Sequence, residues 1–505
     1  MTAALRRRLA RAELVDAATD LLAAGYRCAL VAGAQPGPEL QVAYAFARPV
    51  ADGPDPVVEL VVDVPADDPW VPTLAALSYP IGRFERQLHD LFGITARDHP
   101  LPFRLVRHAH WPQSWHPMRH EAGPVPAFEP DVSAYPFLEV DGRGVYEIPV
   151  GPVHAGLIEP GHFRFSVVGE TIIRMKARLW FLHRGVERLF EGRQPQDGIA
   201  LAERISGDTA VGHSLAFAMA CEQALGLTVS EPERLLRAVL LELERMYNHV
   251  GDLGALLNDV AFGLAQSHTQ RIREDLLRLN ASVTGHRLLR TAIGIGSTRV
   301  VALPDLAVVQ ECAQRTAGLV ELALRHRMIL DRLAGTAVLS RSDAERVGVL
   351  GYVARASGLA VDARADHPFV PLGSAPGLAF APVVENGGDV MARFLVRSRE
   401  VAASAALIGE LCGRLDGFTG TSPVLNPAPG TVTGDGVGLA MVEAWRGTVT
   451  HRVELDADGA LARVAVVDPS FFTWPALPIA LADTIVADFP LVNKSFNQSY
   501  AGNDL

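Results

Sequence analysis

Cysteine is scarce in this sequence of 505 residues, which contains only four, spread over the whole chain. No two of them form a CxxC pair, so the sequence excludes a zinc ribbon, a thioredoxin-type motif and a locally ligated iron–sulfur cluster. The four are Cys28, Cys221, Cys312 and Cys412. Few cysteines, together with the lack of a signal-peptide pattern, predict a cytoplasmic protein.

Long apolar runs and basic runs are also missing. The most apolar stretch, at 215–227, is interrupted by Glu222, and it falls short of the roughly 20 residues that span a bilayer. The net charge of −11, from 57 acidic and 46 basic side chains, gives no electrostatic basis for binding nucleic acid. An apolar content of 49% predicts large folded cores and excludes a disordered chain.

The first part of the chain, residues 1–118, shows the pattern of a small α+β domain. We predict a helix at about 3–24, then two strands, within 39–49 and 56–66, which are rich in β-branched residues and separated by turn residues. In the next segment, 79–94, apolar residues recur at helical spacing, which predicts a helix with one buried face.

A second, larger domain is predicted at 146–505, after a linker at 119–145 that is rich in proline and glycine. Its pattern is mostly helical, and a strong helix start follows Ser230. The segment 430–466 alternates like strands, so the C-terminal part contains a sheet. The fold class is therefore α+β. Further helices are predicted at 268–290, 304–336 and 394–414.

Two short motifs match catalytic or nucleotide-binding signatures only in part. The segment Gly212–Ala216 (GHSLA) has alanine where the nucleophile elbow has its last glycine, and no strand precedes it, so a helix entry is favoured over a hydrolase. Gly294 and Gly296 lack the third glycine of the dinucleotide fingerprint and the acidic residue about 20 positions later. They predict a turn.

Four histidines cluster at the end of the first domain with two tryptophans. Prolines interrupt the segment, and it lacks the helical face on which HExxH sites present their ligands. We favour an exposed interface loop, with a metal site as the alternative. The histidines are His108, His110, His116 and His120.

Two dense polar sets occur in the second domain. His183, Glu187 and Glu191 are four residues apart, which predicts one helix face with an imidazole and two carboxylates; the alternative is a solvated face neutralised by Arg184 and Arg188. The other set surrounds a turn and fits either a buried ion network at a cavity, with perturbed pKa values, or plain structural salt bridges. Its members are Arg355, Asp362, Arg364 and Asp366.

Six segments, in sequence order, resemble one group of proteins. The segment 84–100 (FERQLHDLFGITARDHP) resembles the signature of the small peripheral-arm subunit of respiratory complex I, and the later five resemble the adjacent large subunit. They are more similar still to the large subunit of energy-converting NiFe hydrogenases of the formate hydrogenlyase type, in which both modules are fused. The five are GPVH (151–154), LHRGVERLFEGR (182–193), RISGDTAVGHS (204–214), RAVLLELERMYNHV (237–250) and RASGLAVDARADHPF (355–369).

The sequence departs from the hydrogenase pattern at the metal ligands. In the hydrogenases an early and a late CxxC supply four thiolates to nickel and iron. The resemblance places these ligands at Ser206, Thr209, Ser499 and Gly502. Hydroxyls stay protonated at neutral pH and do not replace soft thiolates. We therefore expect no NiFe centre, with a working nickel hydrogenase as the rival interpretation.

In complex I the same place is a quinone headgroup pocket with a histidine, a tyrosine and an aspartate. The resemblance places the histidine at His154 and the aspartate at Ser206, two positions before Asp208. The tyrosine falls near Pro195, where the sequence has none. We expect such a pocket to protonate a bound headgroup poorly, because it lacks the phenol.

The resemblance implies a subunit of a membrane-associated, complex I-like or hydrogenase-related oxidoreductase that is not catalytic alone. It would lie on the cytoplasmic face, beside antiporter-like membrane subunits and an iron–sulfur subunit, and any NADH would be oxidised by other subunits. We expect a redox or ligand event at the former metal cavity to couple to ion translocation. The alternatives are a quinone-binding subunit and a non-catalytic scaffold. The cavity-facing candidates are His154 (also for a quinone headgroup), Asp208, Arg355, Asp362, Arg364 and Asp366.

Overall fold

The computed structural model describes residues 4–128, 135–155, 158–370, 380–415, 417–418 and 436–505. The strands are β1 (Leu5–Leu9), β2 (Arg27–Ala34), β3 (Leu40–Ala47), β4 (Val57–Val64), β5 (Trp70–Pro72), β6 (Thr95–Arg97), β7 (Val145–Val150), β8 (His162–Val168), β9 (Thr171–Arg178), β10 (Ile293–Gly294), β11 (Ser297–Thr298), β12 (Val437–Ala444), β13 (Gly447–Leu455) and β14 (Leu461–Val467). The helices are α1 (Leu14–Ala23), α2 (Tyr79–Phe92), α3 (Val186–Phe190), α4 (Pro195–Ala202), α5 (Ala210–Leu225), α6 (Glu231–Asp259), α7 (Gly263–Thr284), α8 (Leu306–Leu324), α9 (Arg327–Leu333), α10 (Arg341–Val347), α11 (Gly351–Ala356), α12 (Ala363–Asp366), α13 (Val390–Gly413), α14 (Pro469–Thr473), α15 (Ala476–Ala480), α16 (Phe489–Phe496) and α17 (Tyr500–Asp504).

The N-terminal part forms a four-stranded sheet in the order β1-β4-β3-β2. The strands predicted within 39–49 and 56–66 are confirmed as β3 and β4, and the helix of 79–94 as α2. The predicted helix at 3–24 is wrong in its first half, because Leu5–Leu9 pairs in parallel with β4 and the helix begins only at Leu14. A long-range pairing therefore overrides the local helical pattern.

The larger part combines a helical bundle with two three-stranded sheets. Helix α6 packs against α7 and α13, and α5 covers the sheet β12-β13-β14. The predicted helix at 394–414 is confirmed as α13, the one at 268–290 ends already at Thr284, and the one at 304–336 is divided into α8 and α9. The C-terminal strands are confirmed from Val437 onward, whereas 430–435 lie outside the described residues. Ser230 is the N-cap residue of α6, although its side chain makes no capping hydrogen bond. The expectation of a mostly helical start is wrong, since β7, β8 and β9 form a sheet there.

The N-terminal sheet and the larger part share a continuous hydrophobic core. Phe84 of α2 stacks on Phe471 of α14 with ring centroids 4.3 Å apart. A buried ion pair crosses the same boundary, with Arg452 Nε of β13 lying 2.7 Å from Glu59 Oε1 of β4. No helix in the described part of the chain combines the length and the apolar content that a bilayer crossing requires.

The ion pair between Arg452 and Glu59 predicts a measurable stability effect. Arg452→Gln should lower the free energy of unfolding by about 3 kcal/mol, because a buried carboxylate then keeps only the partly exposed Arg6 as a partner. Urea denaturation of the purified chain at pH 7 measures this. The matched control, Arg325→Gln, breaks an exposed pair with Glu321 and should cost less than about 1 kcal/mol. Equal losses in the two variants would contradict the prediction.

Candidate functional site

The two segments that the resemblance assigns to metal ligands meet in the structure. Ser206 lies in the loop before α5, and Ser499 is the N-cap residue of α17. Their hydroxyl oxygens are 2.8 Å apart, although 293 positions separate them in sequence. The backbone amide of Gly502 donates to Ser499 Oγ at 2.9 Å. The correspondence of these positions is therefore spatial as well as sequential.

A buried guanidinium lies against these hydroxyls. Arg446, in the turn between β12 and β13, makes a bidentate ion pair with Asp208, with Nη–Oδ distances of 2.6 and 2.7 Å. Its Nη1 also lies 3.5 Å from Ser206 Oγ and 3.4 Å from Thr209 Oγ1, and it stacks on the ring of Trp445 at 4.0 Å. The side chains that line this place are hydroxyls, which do not supply the anionic sulfur ligands that a nickel–iron centre needs.

The ion pair is held in its charged form. Burial opposes ionisation of Asp208, but the guanidinium of Arg446 and the hydroxyls of Ser206 and Thr209 hold the pKa of the carboxyl below its usual value. Burial also opposes the charge of Arg446, yet Asp208 raises its pKa. The Asp208 side chain remains 38% exposed, so the carboxylate faces open space.

That open space is a cavity of about 360 Å³. Its wall includes Asp208, Arg446 and Lys494, and it also includes Tyr500, which the sequence reasoning missed. The Tyr500 hydroxyl is buried and makes no well-aligned hydrogen bond to the described residues. Burial raises its pKa to about 12, against a smaller opposing effect of the Asn493 side chain. The phenol therefore keeps its proton at neutral pH. Its position directly after Ser499, inside the late motif, was the available signal.

Three of the predicted cavity residues lie in a buried ion network instead of the cavity wall. Arg355 contacts Asp362 at 3.3 Å and Glu400 at 2.8 Å. Arg364 contacts the same Asp362 at 2.6 Å. Burial opposes ionisation of Glu400, but Arg355 holds its pKa well below the usual value. The fourth member of the set, Asp366, accepts a hydrogen bond from the Asp362 amide at 3.2 Å, and burial raises its pKa to about 6.

A continuous series of polar contacts joins the cavity to the helices that carry this network. Arg446 Nε donates to the backbone oxygen of Asn497 at 2.6 Å, and the side-chain amide of Asn497 donates to the Asp252 carboxylate at 2.7 Å. Asp252, on α6, pairs with Arg397 of α13 at 2.9 Å. One turn away on the same two helices, His249 Nε2 lies 2.7 Å from Glu400.

The remaining cavity candidate, His154, is half-buried and lies outside the wall. Its Nε2 is 2.9 Å from the backbone oxygen of Gly161, and Gly161 packs against the ring of Tyr500. His154 is therefore separated from the cavity by this packing.

The other motifs have structural surroundings. Ser214 lies inside α5, and its hydroxyl donates to the Ala210 oxygen at 2.6 Å, so it is not an exposed nucleophile. Gly294 and Ser297 pair across the β10–β11 turn, which confirms the turn. In the histidine cluster, His108 Nε2 lies 2.9 Å from the Trp180 oxygen. No group of three or more His, Cys, Asp or Glu side chains within the described ranges is arranged to hold a metal ion.

The prediction of one helix face for His183, Glu187 and Glu191 is wrong. Helix α3 covers only Val186–Phe190, because Gly185 before it has a left-handed backbone with φ of 66°. His183 Nδ1 lies 2.7 Å from the Asp504 backbone oxygen. The alternative, a solvated face neutralised by Arg184 and Arg188, does not hold for Glu187 either. Its side chain is buried and pairs with Arg463 at 2.8 Å.

Comparison with known families agrees with this geometry. Residues 8–126 match the 30 Kd subunit of respiratory-chain NADH dehydrogenase, 265–432 match its 49 Kd subunit, and 184–253 match nickel-dependent hydrogenase. The chain is 31% identical over 429 residues to hydrogenase-4 component G of Escherichia coli (strain K12), covering 83% of this chain and 73% of that protein. The chain therefore belongs to the family of hydrogenase-4 component G, in which parts similar to the 30 Kd and 49 Kd subunits of respiratory-chain NADH dehydrogenase are fused.

Other similar proteins include a formate hydrogenlyase subunit and an NADH-quinone oxidoreductase subunit. Formate hydrogenlyase subunit 5 of the same E. coli strain is 30% identical over 88% of this chain and 78% of its own length. A fused subunit of the NADH-quinone oxidoreductase of Phocaeicola vulgatus is 30% identical over 65% of this chain and 66% of its own. A chain of the membrane-bound sulfane sulfur reductase, an archaeal respiratory membrane complex, superposes with a TM-score of 0.64 at 25% identity, covering 72% of this chain and 99% of that one. The resemblance inferred from the six motifs is confirmed.

The Asp208–Arg446 pair predicts a pH-dependent stability difference. Arg446→Gln should destabilise the chain by about 1–3 kcal/mol at pH 7, less than for a fully buried pair because Asp208 is partly exposed. The paired carboxylate contributes stability above its unfolded pKa and loses that contribution as pH falls through the lowered folded value. The difference in free energy of unfolding between wild type and Arg446→Gln should therefore become smaller below about pH 4.

Denaturation of both proteins between pH 7 and pH 3 measures this gap. The control is Lys494→Gln, which removes another cation of the same cavity wall. Its free energy of unfolding should stay close to that of wild type at every pH. A gap for Arg446→Gln that stays constant across the range would contradict the assignment.

Proposed function

We propose that this family member couples a redox or ligand event at its cavity to ion movement in membrane partners, without a nickel–iron centre. The observation that carries the proposal is the bidentate Asp208–Arg446 pair among the hydroxyls that stand where the resemblance places thiolates. Its relatives are subunits of hydrogenase and complex I-like assemblies. An iron–sulfur partner would supply the electrons, and antiporter-like partners on the cytoplasmic side of the membrane would move the ion.

The coupling step follows from the charges. An anionic or reduced ligand beside Asp208 competes with the carboxylate for the guanidinium of Arg446, because it repels the carboxylate and attracts the same cation. A shift of Arg446 changes its hydrogen bond to Asn497, and through Asn497 the position of Asp252. Two differently charged states of the cavity thus favour two arrangements of the buried pairs on α6 and α13.

Quinone binding is the second candidate, and Tyr500 favours it. The tyrosine position implied by the resemblance falls near Pro195, the first residue of α4, but the Tyr500 hydroxyl supplies a buried phenol in the wall of the same cavity as Asp208. A protonated phenol without a well-aligned partner donates readily to a carbonyl oxygen such as that of a quinone headgroup. His154, which is separated from the cavity by Gly161, would take part only after a local rearrangement.

Asp208→Asn in the assembled complex tests the coupling. The variant keeps the shape of the side chain but loses the charge that holds Arg446, so ion uptake driven by electron transfer should fall at least about tenfold. Electron transfer itself, measured separately in the same membrane vesicles, should change much less. The exposed Asp331→Asn, on α9, is the matched control and should change neither rate.

The network behind the cavity gives a second variant for the same experiment. Arg364→Ala should also abolish coupled uptake, because Asp362 then loses its shortest ion pair. Co-purification of the partner subunits shows whether the variant complex still assembles. Assembled complexes with full coupled activity in both Asp208→Asn and Arg364→Ala would overturn the proposal and leave the scaffold role.

A further inference from the structure

A second and larger cavity, of about 550 Å³, lies where α2 and residues 135–138 meet β9 and α15. We call it the junction cavity. None of the residues in its wall belongs to the Asp208 site. Its wall includes the guanidiniums of five arginines and the indole of Trp180; the arginines are Arg83, Arg86, Arg174, Arg178 and Arg346.

Four of the six cationic side chains in the wall of this cavity have no ion-pair partner among the described residues. No Asp or Glu within the described ranges lies at ion-pair distance from Arg83, Arg86, Arg174 or Arg178. Most other buried arginines of this chain, such as Arg355, pair with carboxylates; Arg393, which is buried against Ser495 and two backbone oxygens, is an exception.

Two of these guanidiniums are buried in the floor. Arg83 is 7% and Arg178 is 4% exposed. Arg83 donates to the backbone oxygen of Phe471, and Arg178 donates to backbone oxygens at 105–107. Burial lowers the pKa of each guanidinium to about 10. Carbonyl oxygens carry only partial charges, so the two cations are hydrogen-bonded without an ion pair among the described residues, a costly state away from water. Asp90 and Asp504 act on Arg178 only from beyond ion-pair distance.

The rim of the junction cavity is apolar and exposed. Tyr79 is 43%, Leu138 60% and Ile173 44% exposed. A free inorganic anion would use the floor alone and leave this rim in water. A polypeptide segment with both acidic and apolar side chains complements floor and rim together, and arginine and aromatic residues are the types enriched in protein interfaces.

We propose that the junction cavity receives an acidic segment of a partner subunit, whose carboxylates bind Arg83 and Arg178 while its apolar side chains cover Tyr79, Leu138 and Ile173. The proposal rests on membership in a multisubunit assembly and not on the coupling role of Asp208. The carboxylates complete the ion pairs that the floor lacks, in the bidentate geometry that guanidinium groups favour.

Photo-crosslinking in the assembled complex tests the proposal. A photo-crosslinking residue replaces Ile173, the complex is purified through a tag on this chain, and mass spectrometry identifies the peptide that is captured. We expect a peptide of a partner subunit rich in Asp and Glu. Capture of a peptide without acidic residues, or no capture by a complex that is fully assembled, would overturn the proposal.

Charge reversal of two arginines in the cavity wall is a second test of the proposal. Arg174→Glu combined with Arg346→Glu changes only exposed side chains, so the chain should fold, and the crosslink yield from Ile173 should fall about tenfold at low salt. Arg325→Glu, just after α8 and exposed, is the control and should leave the yield unchanged. An unchanged yield in the double variant would count against the proposal. Saturable stabilisation of the chain by inorganic phosphate, lost in that variant and seen without a crosslink, would assign the cavity to a free anion instead.

Discussion

The guanidinium of Arg446 joins three segments that are far apart in sequence, through its bidentate contact with Asp208 and a further hydrogen bond to Asn497. Asp208 precedes α5, Arg446 lies in the β12–β13 turn, and the Asn497 oxygen that accepts from Arg446 Nε precedes α17. Charge-assisted bidentate bonds are directional, so the contacts of this one guanidinium with Asp208 and with the Asn497 oxygen hold the loop before α5 and the C-terminal segment together. The 360 Å³ cavity, with Tyr500 in its wall, lies beside this contact.

The same chemistry recurs deeper in the molecule. Arg355 is fully buried and contacts three carboxylates, and Arg397 is fully buried against Asp252. Buried ion pairs add little net stability, because desolvation costs about as much as the attraction returns. Their concentration between the cavity and the α6–α13 pair is therefore better explained by a requirement for defined charge positions than by a requirement for stability.

Much of the fold followed from local patterns, whereas the decisive contact did not. Helix α6 and strands β3 and β4 have strong periodicity, and sequence alone predicted them. Strand β1 was missed because an LRRRL segment becomes a strand only through pairing with β4, about 50 residues away. The motifs located Ser206 and Ser499, but Arg446 lies in a turn without any signature, and its partner is 238 positions distant. Only the three-dimensional structure shows that a guanidinium stands beside those hydroxyls.

Metal analysis of the intact complex tests the central claim most directly, since hydroxyls beside the Asp208–Arg446 pair stand where a nickel–iron centre needs thiolates. The complex is purified through a tag on this chain, and nickel and iron are quantified together with the spectra of any clusters. The expected result is no nickel, with all iron attributable to iron–sulfur clusters of partner subunits. Nickel in stoichiometric amount with this chain would contradict the claim.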